Sequence, residues 1–324
     1  MYSPLDSSFN FRGIMFTNTK THPTFATKRP HRCGVVAVMM LLVTLLGDGL
    51  FAQNANDQLR WRFKAGERFD VLLIKTGNVE TQVDTRIRKV EIESQLEFEW
   101  NVIKVAKRET TIEQKLTRVV LASGSPGDVS AQRLSYDSSN VVYRKGISNT
   151  VANQLKPLIG LTYQFVISDR GEVKSVMIAE DQQTIVEAIP ASLPIKDLLT
   201  SKGQQSNLGS ATWVCPESMS DDRTWRTKQL LDSESGTYNR VSRYTAGQPE
   251  EGVVQIDFVT DVKHEPKMAL KMFEGQGRIE FDTADGYVRS SESSTRMTTE
   301  SPYRDLVVKT TVEMSSELKM EKQN

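Results

Sequence analysis

Downstream of residue 52 the chain carries one cysteine, Cys215, and one histidine, His264. A histidine-based triad or a Cys/His zinc site needs at least two such side chains converging. A Cys215–His264 dyad is therefore the sole version the composition permits. Neither residue lies in a nucleophile-presenting turn. Cys215 reads as a small buried apolar residue, and His264, between Lys263 and Glu265 at a strand end, as a surface one.

Glu217, Asp221 and Asp222 are the acidic residues nearest to a general acid–base pair. Such pairs are defined by separation in space, and the sequence spacing does not single these three out. Gly275 and Gly277 form Gly-x-Gly, but Arg278 to Phe281 continue as strand, whereas a phosphate cradle requires a helix N-terminus directly after the loop. The two glycines point instead to a bulge or to close packing against an aromatic ring. Ser123 to Asp128 resembles a glycine-rich site in composition and reads as a mobile loop. The most distinctive local feature is the Pro216-containing polar loop between Trp213 and Trp225. Each ring would anchor one end of that loop on a sheet, or the two would form the rim of a ligand pocket. No catalytic constellation, metal site or cofactor site emerges, so the expected protein is not an enzyme and binds no cofactor.

The elements that must position these residues are mainly strands. Leu59, Trp61 and Phe63 alternate with Arg60, Arg62 and Lys64, which predicts a half-buried strand. Phe69 to Ile74 predicts a strand at a sheet centre, and Val79, Thr81, Val83, Thr85 and Ile87 a further β-branched alternation. Ile92 to Val102 continues that alternation before Ile103 and Val105 switch parity, which predicts a β-bulge near Val102. Ile112 to Leu121 completes the first sheet segment.

The middle reads as a short strand at Val141–Tyr143, a short helix at Thr150–Leu158, a hairpin of Leu161–Ile167 and Val173–Ile178 turning at Gly171, and two short helices across Asp181–Thr200. Ser201 to Ser210, polar and carrying Gly203 and Gly209, reads as a flexible loop. Beyond Trp225, strands are expected near 236–244, 253–263, 270–281, 286–297 and 306–320. Strands this long in succession favour a large, curved antiparallel meander, half-barrel-like, packing on helices. An outer-membrane barrel would need an unbroken apolar lipid-facing band, and here Arg, Glu and Lys occupy one parity.

Export is read from the start of the chain. Lys28, Arg29, His31 and Arg32 precede an apolar run from Val35 to Leu46, the order of a secretory signal. That run is shorter than the roughly 20 residues of a membrane-spanning helix. Residues 1–52 are thus expected to be a cleaved signal peptide ending at Ala52, with Met15 a second candidate start. Residues 53–324 form a single β-rich domain whose halves, 53–200 and 211–324, share one sheet. Of 41 Lys/Arg and 41 Asp/Glu, five and two fall within residues 1–52, which leaves 36 against 39 and a net charge of minus three. That balance implies no nucleic-acid partner and no membrane partner other than through an uncleaved leader.

The opening Leu59 to Glu67, the Ser168-Asp169-Arg170-Gly171-Glu172-Val173 hairpin, the Pro216–Trp225 loop and Gly275-Gln276-Gly277 with Phe281-Asp282 and Gly286 resemble an uncharacterised family of secreted planctomycete-type bacterial proteins. The resemblance implies export and a large antiparallel sheet, and it supplies no catalytic residues. The expected role is that of an exported, non-enzymatic, periplasmic or extracellular protein holding an apolar ligand, a lipid or another envelope protein in the concave face of its sheet. The alternatives are an extracellular structural or protein-interaction module and, third, a carboxylate-dependent hydrolase.

Overall fold

Alternating side chains, β-branched residues and turns built on Asp, Lys or Gly at positive φ fold this chain into one sheet. The computed structural model describes residues 17–18, 59–125, 134–140, 149–189, 195–212, 215–233, 236–263, 270–303 and 306–323. The strands are β1 (Thr17–Asn18), β2 (Arg68–Val83), β3 (Arg86–Ala106), β4 (Glu109–Gly124), β5 (Leu134–Asp137), β6 (Thr162–Ser168) and β7 (Val173–Ile178), followed by β8 (Thr224–Ser233), β9 (Gly236–Ala246), β10 (Val253–Lys263), β11 (Leu270–Asp282), β12 (Tyr287–Tyr303) and β13 (Leu306–Lys322). Among the described residues, four α-helices lie between β5 and β8, α1 (Asn149–Leu155), α2 (Glu180–Glu187), α3 (Ile195–Leu199) and α4 (Ser201–Ala211), with a 3-10 turn, Lys156–Leu158, after α1.

All strands belong to a 13-stranded sheet in the order β1-β8-β9-β10-β11-β12-β13-β2-β3-β4-β6-β7, with β5 beside β4. Every pairing is antiparallel, and β7 does not pair with β8, so the sheet is curved and open. Its seam is β13 against β2, where Val308 to Lys322 run in register with Val83 to Phe69. The two-residue β1, inside the stretch read as a leader, pairs with Leu231 and Asp232 of β8.

One face carries the core. On β2, Phe69, Val71 and Leu73 are buried; their register partners Trp100, Phe98 and Leu96 on β3, and Met320 and Leu318 on β13, are buried with them. Packed against this region are Leu155, Leu158, Val186, Ile189, Ile195, Leu199 and Leu208 from the helical section. The expected bulge is present, as a register shift between Val102 and Lys104. So are the hairpin at Gly171 (φ 84), the first helix and the two short helices.

Three expectations are corrected. The alternation from Val79 to Ile87 is not one strand: a turn at Asp84–Thr85 ends β2 and starts β3, with Asp84 at φ 54, a conformation that its short polar side chain tolerates. Leu59, Trp61 and Phe63 are buried while Arg62 and Lys64 are exposed, as their alternation requires, yet the segment is an extended strap outside the sheet. Ser201 to Ser210 is not a loop but most of α4, whose N-cap Thr200 accepts a hydrogen bond from the Gly203 N–H (3.0 Å). The expected strand at Val141–Tyr143 lies outside the described residues.

Candidate functional site

The strap explains how one end of the sheet is drawn together. Trp61 N–H donates to the Asp169 carbonyl in the β6–β7 hairpin and Arg62 N–H to the Gly286 carbonyl in the β11–β12 hairpin, each at 2.8 Å. An Arg60 guanidinium N–H donates to the Pro216 carbonyl at 2.8 Å. The loop leading into β8 joins the same hairpin, because Cys215 N–H donates to the Arg170 carbonyl (2.6 Å) and Arg170 Nε–H to the Cys215 carbonyl (3.0 Å). Phe63 packs edge-on to Phe69 and Phe69 to Tyr287, at centroid distances of 5.5 and 5.3 Å. This end of the molecule is therefore filled.

The residues singled out for chemistry sit in structural roles here. Cys215 is fully buried and unbridged, and burial pushes its thiol up, away from the reactive thiolate. His264 and Trp213 lie outside the described residues. Trp225 is buried and stacked on Tyr244, with centroids 5.1 Å apart and planes 7° apart, and it does not border the large hollow described below. Glu217 pairs with Arg170 at 2.6 Å. Asp222 accepts from the Ser220 and Thr224 hydroxyls, which hold its carboxyl low, and so tightens a turn. Gly277 has the close aromatic neighbour expected of it: a Cβ there would stand 2.5 Å from the Phe258 ring.

Asp282, at the turn into β12, is the most strongly held carboxylate of this end. Its Oδ1 accepts from the N–H groups of Ala284 and Asp285, both at 2.8 Å, and its Oδ2 from Arg289 Nε at 2.9 Å. Burial pushes the carboxyl up, but the hydrogen bonds from Asp285, Arg289 and Ala284 outweigh it and the net direction is down. A depressed carboxyl contributes stability that is complete above its unfolded pKa and is lost as pH falls through the folded value. Acid unfolding of the wild type should steepen below about pH 4. Urea midpoints measured on Asp282→Asn should lose that component, and equal acid sensitivity in the two proteins would refute the assignment.

Away from the strap the helices stop and the sheet continues, and its two faces differ. A hollow of about 1190 Å³ crosses this open half. Its border takes triplets from adjacent strands, such as Thr76, Gly77, Asn78 and Glu91, Ile92, Glu93, without the next core-parity residues Lys75 and Val79. Its border mixes both parities, Val262 and Phe273 of the core parity among them. It carries the carboxylates of Glu91, Glu93, Asp261, Glu274 and Glu313 against Arg243, Lys271 and Arg296, which makes it a polar trough unsuited to an apolar ligand.

The core-parity face of the same half is apolar. Phe273, Met297, Val312, Val79 and Val90 are successive register partners across β11, β12, β13, β2 and β3, and each is half-buried. At the β10 end of this row, Val262 and Leu270 are buried in a second apolar cluster against Phe273 and Met297. Of these side chains only Val79 belongs to an alternation named from the sequence; their alignment into one row depends on register, which the sequence does not display.

Among the described residues no three His, Cys, Asp or Glu side chains are grouped to hold a metal ion, and no helix is long and apolar enough to cross a membrane. No known family pattern and no curated protein matches the chain. Among solved structures, it is similar to the Rv2717c protein of M. tuberculosis (8% identity, 74% of this chain and 89% of that one, TM-score 0.20). It is likewise similar to an outer-membrane channel of Pseudomonas putida F1 (6%, 80% and 97%, TM-score 0.24) and to the translocator domain of the autotransporter NalP of Neisseria meningitidis (7%, 78% and 88%, TM-score 0.24). Superpositions of this quality match strands without a common architecture, so nothing about those proteins transfers to this chain.

Proposed function

We propose that the protein is exported, acts in the periplasm or outside the cell without catalysing a reaction, and binds an apolar ligand or partner on the core-parity face of its open half. The observation that carries this reading is the apolar row from Phe273 to Val90, every member of which stays part-open to solvent. Half-buried apolar side chains in one continuous row mark a binding surface more often than scattered ones do. The filled strap end argues against a ligand held among the helices.

Purified residues 53–324 incubated with membrane extract should retain an apolar species detectable by mass spectrometry. Val312→Asp places a charge mid-row and should weaken Nile red binding by roughly tenfold or more. Unchanged dye binding in that variant would reject the site. Export is tested separately: protein recovered from the producing cell should begin at Gln53, and an intact N-terminus in the cytoplasm would overturn that part. The polar trough favours a second reading, a protein-interaction module, under which Glu91→Lys with Glu313→Lys would abolish a partner's binding and Val312→Asp would not.

A further inference from the structure

On the core-parity face, the described positions of β2, β3 and β9 to β13 include no Asp or Glu, although the opposite parity is rich in them, with Glu80, Glu91, Glu93, Glu274 and Glu313. The acid-free face nevertheless carries cations. Lys75 follows Leu73 on β2, and burial pushes its ammonium down to about 8. Arg240 stands on β9 at the same parity as Ser242 and Tyr244, both buried.

Arg240 is the sharper case. Its register partner is Val262 of the second apolar cluster. Its Nε is shut off from solvent and has no hydrogen-bond partner. Burial holds the guanidinium below its ordinary value, and the Tyr244 phenol acts on it in the opposite direction. The polar pair on the neighbouring positions, the Ser242 and Thr260 hydroxyls at 2.8 Å, is satisfied internally. A guanidinium part-withdrawn from water is unfavourable without an anion, and among the described residues no carboxylate is seen to act on it.

The arrangement is a cation at one end of an apolar row. Six strand spacings separate β9 from β3, roughly 29 Å at the usual 4.8 Å per strand. We infer that the ligand of the apolar row is an anionic amphipath, whose single acidic head group pairs with Arg240 while its chain lies along Phe273, Met297, Val312 and Val79. This inference rests on the apolar-face reading above and adds the chemistry of the head group. A guanidinium suits the task, since its planar fork donates two parallel hydrogen bonds to a carboxylate or phosphate oxygen pair.

The test compares palmitate, hexadecanol and inorganic phosphate by isothermal titration against the full chain at constant salt. Palmitate should bind at least roughly tenfold more tightly than hexadecanol, and inorganic phosphate far more weakly than palmitate. Arg240→Met, checked for retained fold by circular dichroism, should abolish the preference while leaving hexadecanol binding in place. Arg226→Met, at an exposed position of the opposite parity on β8, should preserve the preference. Equal affinity for acid and alcohol in the wild type, or an equal loss in Arg226→Met, overturns the role of Arg240 and leaves the apolar row standing. Binding of neither lipid overturns the apolar row as well.

Discussion

Gly286→Ala should be among the most damaging single substitutions in the chain, lowering stability by about 3–5 kcal/mol. Gly286 sits at φ +74, where a side chain is strained whatever the space around it. Here there is no space either. An added Cβ would stand 2.6 Å from Arg62 Cβ, 2.8 Å from the Arg60 carbonyl oxygen and 2.9 Å from the Arg62 backbone nitrogen. These are mostly main-chain atoms of the strap, which cannot swing aside as a side-chain tip would. Relief would require moving the strap and stretching the bond from Arg62 N–H to the Gly286 carbonyl. That shift would carry Trp61 and Phe63 out of the aromatic cluster with Phe281 and Phe69. Urea denaturation should record the loss. Gly66→Ala is the control: its φ is also positive, at +88, but nothing lies within 4 Å of an added Cβ, so its cost should be confined to backbone strain of about 1–2 kcal/mol. Equal losses in the two variants would show that crowding against the strap contributes nothing.

The same pair shows how far residue patterns reach. Parity alone places Trp61 and Phe63 inside and Arg62 outside, because extended backbone alternates whether or not it is hydrogen-bonded into a sheet. What parity cannot supply is the partner. That the segment bonds to Asp169 on one side and Gly286 on the other, and not to a neighbouring strand, depends on hairpins more than a hundred residues downstream. The Asp84–Thr85 turn was hidden for the opposite reason: Val79 to Ile87 keeps perfect alternation across it, and Asp84 carries no Gly or Pro beside it to mark the reversal. The candidate binding row divides in the same way. Val79 is legible within an alternation, whereas its alignment with Met297 and Val312 follows from the β13–β2 seam, which joins the two halves of the chain. Arg240 had no signal of its own, since an arginine in an alternating strand reads as solvent-facing until its neighbours are known.

Helix α4 eluded the sequence because its anchor is polar. Trp100 Nε1–H donates to Gln114 Oε1, Gln114 Nε2–H to Gln204 Oε1, and Gln204 Nε2–H to the Leu198 carbonyl, each at 2.8 Å. Gln114 and Gln204 are nearly inaccessible, at 1% and 2% exposure. The relay ties β3 and β4 to a helix whose composition, with Ser, Asn and Gly, disfavours helix on its own. Gln114→Leu keeps the volume but removes an acceptor and a donor at once, stranding Trp100 Nε1–H and Gln204 Oε1 in a dry interior. Each unsatisfied group costs about 1–3 kcal/mol, so a total near 3–4 kcal/mol is expected by urea denaturation. Amide exchange in 201–211 should accelerate more than exchange in β6. Gln204→Leu strands only one side-chain partner, the Gln114 amide N–H, plus the Leu198 carbonyl, which other groups or water can reach at the helix end. It should cost less than Gln114→Leu, because the indole is left bonded. The Gln114→Leu/Gln204→Leu double variant should be less unstable than the two single losses added together, since removing both partners leaves fewer orphaned groups. Strict additivity would mean that the three side chains do not act as one network and that α4 is held by Leu208.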